Sequence, residues 1–291
     1  MSITIRFFMS LFLICLSNEP GDLTLISREG EENAYPRLSK DGRTLLYQSN
    51  RYKRWQLFIA DLNERGEFTG QEKLVGPGSC NNNFPDLSPD NQWVAFVSDQ
   101  FDNEEICVMR INGTDLKRLT QNTSRDIHPY FSPDGKKLLF NSDRSNGSLD
   151  IFEMDLTSGI TRQITNGASD ETCGRYSPDM KKIVFLQNSA TSDDVFEMDV
   201  ATGKTHNVTG NPAVRDGWPV YGPDGRWIYY SSMEEGPFCI YRIKPDGSAK
   251  EKLTAAKKGE EHARVFVTAD NSGFVYNVKW GRTIAIVKKS F

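Results

Sequence analysis

The sequence predicts an all-β chain folded as one six-bladed β-propeller of four-stranded antiparallel blades, and three observations predict it. A turn of the Ser-Pro-Asp-Gly kind recurs six times, with aspartates at Asp41, Asp90, Asp134, Asp179, Asp224 and Asp270 spaced by 49, 44, 45, 45 and 46 residues. Each turn leads into apolar, strand-like segments, so that a unit of about 45 residues holds four strands, the sequence signature of a propeller blade. The last unit reaches Phe291 one strand short, while residues 23–27 stand as an isolated strand-like segment ahead of the first unit. That segment is expected to complete the sixth blade and close the ring, which removes an open sheet edge.

The turns come first because they set the frame. They read Ser39-Lys40-Asp41-Gly42, Ser88-Pro89-Asp90-Asn91, Ser132-Pro133-Asp134-Gly135, Ser177-Pro178-Asp179-Met180, Gly222-Pro223-Asp224-Gly225 and Thr268-Ala269-Asp270-Asn271. Proline presets φ early in a turn, aspartate bonds its own backbone, and glycine or asparagine accepts the left-handed conformation that closes a hairpin. The segment after each turn ends in an aromatic, at Tyr47, Phe96, Phe140, Phe185, Tyr230 and Tyr276, and is rich in aliphatic residues as strands are. A third segment follows, as in Gln56-Leu57-Phe58-Ile59 and Asp194-Val195-Phe196-Glu197-Met198, with the alternation of a half-buried strand. A fourth, polar segment ends units two to five, as in Lys117-Arg118-Leu119-Thr120 and His206-Asn207-Val208-Thr209, and suits an outer edge strand.

Composition narrows the function classes. Of 291 residues, 37% are hydrophobic and 25% charged, as in a globular protein with a core, and the net charge of −4 gives no electrostatic reason to expect nucleic acid as partner. Residues 1–17 read as a signal peptide, with Arg6 ahead of a largely apolar run over 7–16 and Ser17 behind it. That run is too short to span a bilayer, so no transmembrane segment is expected. The expected location is therefore periplasmic or secreted if the leader is real, and cytoplasmic otherwise. Cys80, Cys107, Cys173 and Cys239 include no Cys-x-x-Cys pair, so zinc and thioredoxin-like readings find no support and the four are expected as core or loop residues.

The turn, the apolar strand ending in Phe or Tyr, and the Ser-Asp or Ser-Asp-Arg that follows (Ser98-Asp99, Ser142-Asp143-Arg144) together resemble the WD-like repeat of TolB-type propellers. The resemblance runs over nearly all of residues 22–291 and implies a six-bladed ring. In that family an α/β domain precedes the propeller, and the envelope role draws on both parts and on partners such as peptidoglycan-associated lipoprotein and colicin-type proteins. What carries over here is the propeller's share of that role, a protein- or peptide-binding module. The repeat is also similar to propellers of the tricorn and dipeptidyl-peptidase families, which gate a hydrolase, but the sequence contains no Gly-x-Ser-x-Gly elbow. Oligogalacturonate lyases share the TolB-like propeller and hold a channel metal largely by histidine. This chain has only His128, His206 and His262, and His206 falls in an outer strand.

The segment ahead of each turn is expected at the mouth of the central channel, where binding residues gather in propellers. It is polar and often acidic, and offers Glu32, Asn82, Asp126, His128, Glu171, Asp216, Trp218, Glu261 and His262 as candidates, with Tyr35, Phe84 and Tyr130 nearby. Two readings follow. In the first, the ring binds basic groups of a protein or peptide, with no cofactor and no catalytic set. In the second, Asp126, Glu171 and Asp216 with the two channel histidines hold a divalent cation through oxygen and imidazole ligands, as a carbohydrate-active lyase or hydrolase would need. Convergence of those side chains within metal-ligand distance discriminates the two.

Overall fold

The turns close as their residues dictate. Ser39 Oγ donates to Asp41 Oδ1 at 2.5 Å and accepts from Thr44 N at 2.9 Å, while Asp41 Oδ1 also accepts from Arg43 N at 3.1 Å. The same serine-to-aspartate bond recurs at Ser88–Asp90, Ser132–Asp134 and Ser177–Asp179, at 2.5, 2.6 and 2.7 Å. Each bond favours the ionised carboxylate, which holds all four aspartates below their ordinary value. The last turn position is left-handed in every copy, at φ 68–70° in Gly42, Gly135 and Gly225 and at 57–61° in Asn91, Met180 and Asn271.

A computed structural model of the protein describes residues 22–291, and every regular element in that span is a strand. The first blade holds β2 (Asn33–Leu38), β3 (Thr44–Ser49), β4 (Gln56–Leu62) and β5 (Phe68–Val75). The second holds β6 (Asn82–Leu87), β7 (Trp93–Ser98), β8 (Glu105–Arg110) and β9 (Lys117–Arg118). The third holds β10 (Asp126–Phe131), β11 (Lys137–Ser142), β12 (Asp150–Asp155) and β13 (Thr161–Gln163). The fourth holds β14 (Glu171–Tyr176), β15 (Lys182–Asn188), β16 (Asp193–Asp199) and β17 (Thr205–Asn207). The fifth holds β18 (Asp216–Tyr221), β19 (Ile228–Ser232), β20 (Cys239–Ile243) and β21 (Glu251–Lys252). The sixth is built from β22 (Glu260–Val267), β23 (Gly273–Trp280) and β24 (Thr283–Ser290), with β1 (Asp22–Ile26) as its outermost strand.

The predicted closure is therefore present: β1 pairs antiparallel with β24, Asp22 opposite Lys289 and Ile26 opposite Ile286. One element goes beyond the sequence reading. The first blade also has a fourth strand, β5, of eight residues against two or three in β9, β13, β17 and β21. Its length accounts for the longer first spacing of 49 residues. The leader expected over residues 1–17 lies outside the described residues. Within them, no helix is long and apolar enough to cross a membrane.

The core sits between blades, because each sheet buries both faces against its neighbours. Six apolar clusters form, one per blade–blade interface, and the cluster joining the sixth blade to the first contains Leu25 and Ile26 of β1 with Leu45, Tyr47, Val275 and Ile286. The aromatics that end the second strands, Tyr47, Phe96, Phe140, Phe185, Tyr230 and Tyr276, are all at most 2% exposed. All four cysteines among the described residues are buried and free.

Candidate functional site

The innermost strand of every blade breaks register at the same place, six residues before the turn aspartate. Tyr35, Phe84, His128, Cys173, Trp218 and Arg264 stand there with φ between 51 and 57°, at the irregularities in β2, β6, β10, β14, β18 and β22. Left-handed backbone is costly for side-chain-bearing residues, so six in one ring mark a feature that the surrounding blades over-determine. Part of that support is visible. Amides on the preceding blade accept from the bulged N–H groups: Asn277 Oδ1 from Tyr35 N at 3.2 Å, Gln48 Oε1 from Phe84 N at 2.7 Å, and Asn141 Oδ1 from Cys173 N at 3.1 Å.

These six residues form a collar in the channel. The Arg264 guanidinium lies over both Tyr35 and Trp218, at 4.6 and 4.7 Å from the ring centroids. Tyr35 meets Phe84 edge-on at 5.0 Å, and Phe84 meets His128 at 4.3 Å. Burial, with the fields of Arg264 and Arg175 adding to it, pushes the His128 imidazole down to about 3, so it is neutral at physiological pH.

A second row lies two residues further along each strand and contains Arg37, Asp86, Tyr130, Arg175, Val220 and Phe266. Arg37 Nε donates to Asp86 Oδ1 at 2.7 Å, and Asp86 Oδ2 accepts from Phe131 N at 3.0 Å. Arg175 lies 3.7 Å from the centroid of the Tyr130 ring. Burial, and then the neighbouring Arg175 charge, hold the Arg37 guanidinium below its ordinary value.

Above the collar opens a funnel of about 510 Å³, with Trp55, Trp218 and Phe238 on its walls, Tyr35, Phe84 and Arg264 at its floor, and Glu32, Glu261 and Lys279 among its charged lining. Trp218 and Phe238 pack edge-on at 5.8 Å. At the opposite end of the ring, near the turns, a cavity of about 460 Å³ is lined by Pro89, Pro133, Pro178 and Pro223 with Leu38, Val220 and Phe266.

The nine sequence candidates separate into two groups. Glu32, Trp218 and Glu261 line the funnel, and His128 belongs to the collar. Asn82, Asp126, Glu171, Asp216 and His262 are buried at the starts of their strands. Asn82 Nδ2 donates to Pro77 O at 2.7 Å, and Glu171 Oε1 accepts from Gln187 at 3.2 Å. Asp126 takes Arg144 Nη2 on both oxygens, at 2.8 and 2.9 Å, and Asn122 Nδ2 at 2.7 Å. The His262 ring lies 5.2 Å from that of Tyr276. Among the described residues no group of three or more His, Cys, Asp and Glu side chains is placed to hold a metal ion. The carboxylates and imidazoles proposed as a ligand set therefore do not fit one.

Asp126 and Asp216 occupy equivalent positions with opposite surroundings. Asp126 stands opposite Ser142, with Arg144 two residues on, whereas Asp216 stands opposite Ser232, with Glu234 two residues on. Burial, with Asp194 and Glu234 adding to it against hydrogen bonds from Ser232 and Thr209, raises Asp216 to about 6. The folded state thus holds this proton more tightly than the unfolded chain, where aspartate titrates near 4. Its stabilising contribution is full below about pH 4 and is lost as pH rises through about 6. Asp216→Asn is expected to raise the thermal midpoint above that of the wild type at pH 7.5, by an amount equivalent to about 2–3 kcal/mol, and to leave the two nearly alike at pH 4. Thermal melts at the two pH values check this, and an equal difference at both would contradict it.

Reading residue types ahead of each turn found the polar candidates but passed over Arg37, Arg175 and Arg264. The signal was positional: aligning the units on the turn aspartate puts Tyr-Pro, Phe-Pro, His-Pro and Trp-Pro in one column at residues 35, 84, 128 and 218, with Cys173 and Arg264 in the same column.

Comparison with known proteins agrees with this geometry. The TolB beta propeller domain family matches over residues 22–263. An uncharacterized protein of Agrobacterium fabrum is 31% identical over 242 residues, 82% of this chain and 64% of the relative. The Tol-Pal system protein TolB of Gluconobacter oxydans is 29% identical over 219 residues, 75% of this chain and 45% of the relative. The chain thus spans less than two thirds of the length of these curated relatives. Among solved structures, TolB from Acinetobacter baumannii superposes with a TM-score of 0.67 at 26% identity, covering 77% of this chain and 55% of the other. An oligogalacturonate lyase in complex with manganese shares the fold, with a TM-score of 0.63 at 12% identity over 93% of this chain and 98% of its own. With six repeats, six four-stranded blades and a family match across most of its length, the chain belongs to the TolB beta propeller domain family.

Proposed function

We propose that this chain is a protein- or peptide-binding module that engages its partner through the aromatic funnel at the channel mouth. The observation that carries the reading is the funnel itself: a concave space of about 510 Å³ with Trp55, Trp218 and Phe238 on its walls and a strained collar as its floor. Aromatic side chains at the rim of a preformed concavity supply large contact area at low entropic cost, which is how a few residues come to dominate a protein interface. Glu32, Glu261 and Lys279 give the rim charges of both signs that set orientation. Asn82, bonded to Pro77, and Asp126, held by Arg144 and Asn122, support the funnel by fixing the strands that carry it. Similarity to a protein named for the Tol-Pal system supports a binding role.

The lyase reading needs a ligand set in the channel, and among the described residues no three such side chains are placed together to hold a metal ion, so no step is derived through a metal. The module's work is placed outside the cytoplasm on the strength of the leader-like residues 1–17, and cell fractionation with N-terminal sequencing of the mature protein tests that part. For the binding role, Trp218→Ala is expected to weaken the complex with a co-purified partner at least about tenfold without changing the thermal midpoint by more than a few degrees. Unchanged affinity in Trp218→Ala and in Phe238→Ala would remove the funnel from the interface.

A further inference from the structure

Two blades seat an arginine in the same way, and the fifth blade repeats the seat with a glutamate at the arginine's position. In the third blade Arg144 follows Ser142 by two residues. Its Nε donates to Ser142 Oγ at 2.8 Å, its Nη2 reaches both oxygens of Asp126, and its guanidinium carbon lies 5.3 and 4.8 Å from the centroids of Phe140 and Phe152. In the first blade Arg51 follows Ser49 likewise. Its Nε donates to Ser49 Oγ at 3.2 Å and its Nη2 to Asn33 Oδ1 at 3.5 Å, with the rings of Tyr47 and Phe58 at 5.8 and 4.0 Å.

In the fifth blade Asp216 stands opposite Ser232, as Asp126 stands opposite Ser142. Glu234 N donates to Ser232 Oγ at 3.3 Å, as Arg144 N does to Ser142 Oγ at 3.4 Å, so the backbone takes the same path. Tyr230 and Tyr241 pack with centroids 6.0 Å apart and planes at 32°, against 5.8 Å and 28° for Phe140 and Phe152. What differs is the side chain that follows: Glu234 pairs with Lys250. Ser232 and Thr209 bond the Asp216 carboxylate, yet its Oδ2 is buried without a hydrogen-bond partner, and so is the Tyr241 hydroxyl. Both residues are at most 3% exposed. An unsatisfied carboxylate oxygen in the interior is costly. A guanidinium in the place Arg144 takes would answer it, donating to the carboxylate while stacking on the tyrosines, which a hydrated ammonium does less well. It has to displace Lys252, whose Nζ lies 6.0 Å from the Tyr241 centroid, but the pair of Lys252 with Glu235 is at the surface, where such pairs contribute little.

We propose that Asp216, Ser232, Tyr230 and Tyr241 form a seat for the guanidinium of an arginine side chain on the bound protein or peptide. Asp216 lies two residues before Trp218 in β18, so the seat adjoins the funnel. This deepens the funnel reading and rests on it for the source of the arginine. The test uses the full chain and its Asp216→Asn, Glu234→Arg and Asp216→Asn/Glu234→Arg variants at pH 7.5, with ionic strength matched by sodium chloride. The probes are a capped pentapeptide with a central arginine, its lysine and citrulline counterparts, and calcium chloride, followed by thermal midpoint and by intrinsic fluorescence.

The expected result is a rise of about 5 °C in the wild-type midpoint when the arginine peptide saturates the seat, none with citrulline, and lysine binding at least about tenfold weaker. Asp216→Asn should bind the arginine peptide at least about tenfold more weakly although it melts above the wild type, so the loss is not misfolding. Glu234→Arg supplies the guanidinium from within the chain. It should melt above the wild type, gain nothing from the peptide, and add no stability when combined with Asp216→Asn. Equal binding of the arginine and citrulline peptides, undiminished binding by Glu234→Arg, or no wild-type response to the arginine peptide would overturn the seat. A rise with calcium and none with peptide would overturn the guanidinium and leave a hard cation. A partner complex weakened by Trp218→Ala but not by Asp216→Asn would overturn the seat while the funnel stands; arginine-peptide binding as expected, with a partner complex indifferent to Trp218→Ala and Phe238→Ala, would do the reverse.

Discussion

Deleting residues 22–27 is expected to remove most of the folding stability of the ring. Leu25 and Ile26 are 4% and 3% exposed within the cluster that joins the sixth blade to the first. Burying side chains of that size stabilises by about 1.5–3 kcal/mol each, before the strand pairing is counted. Their loss would also uncover the edge of β24 over residues 286–289, which β1 pairs. Together this is about 5 kcal/mol or more, set against a total of about 5–15 kcal/mol for a typical domain. The truncated chain should therefore lose its cooperative melt or aggregate on expression. Asp22 lies opposite Lys289, so the same six residues joined after Phe291 through a short turn can pair with β24 as an ordinary hairpin. That permuted chain is expected to regain the cooperative melt. A truncated chain melting within a few degrees of the wild type would show that closure does not carry the ring.

The second large effect is expected at Arg144. Its guanidinium holds both oxygens of Asp126, which is wholly buried, and it stacks 4.8 Å from the centroid of Phe152. Arg144→Met keeps much of the stacked volume but leaves a carboxylate in the interior with Asn122 as its remaining side-chain partner. Breaking a buried pair from one side costs about 3–5 kcal/mol, while replacing both partners costs far less. Chemical denaturation should therefore show a large loss for Arg144→Met and substantial recovery in Asp126→Asn/Arg144→Met. Equal losses in the single and double variants would mean that the arginine acts through packing alone. The effect is opposite in sign to that of Asp216→Asn, because Glu234 stands where the third blade has Arg144.

The fold was legible because its determinants are local and repeated. Ser, Asp and Gly at fixed turn positions, aromatics at the ends of second strands and an orphan segment over residues 23–27 each name their structural role from sequence alone. The one missed strand, β5, lies in the unit whose spacing is longest, and its exposed Thr69, Gly70 and Gln71 carry no apolar alternation to betray it. The site was less legible. Residue type marked Asp126 and Asp216 as channel groups, but the face a side chain takes on an innermost strand is decided by register, and every innermost strand is bulged. A bulge turns one residue out of the alternation. It sends Arg264 and His128 into the collar, while Asp126, two residues before His128, stays inside the blade. Charge pairing is likewise non-local: Arg144 is 18 residues from Asp126, and nothing in that interval announces the pair.

The funnel mouth, as proposed, is the face that meets the partner. The most direct measurement places a photo-crosslinking phenylalanine derivative at Trp218 in the funnel, and separately at Pro178 at the opposite mouth, in living cells. A discrete crosslinked product is expected from position 218 and is lost when Phe238 is changed to Ala, with none from position 178. A product from position 178 alone would contradict it and move the binding surface to the proline-lined end of the ring.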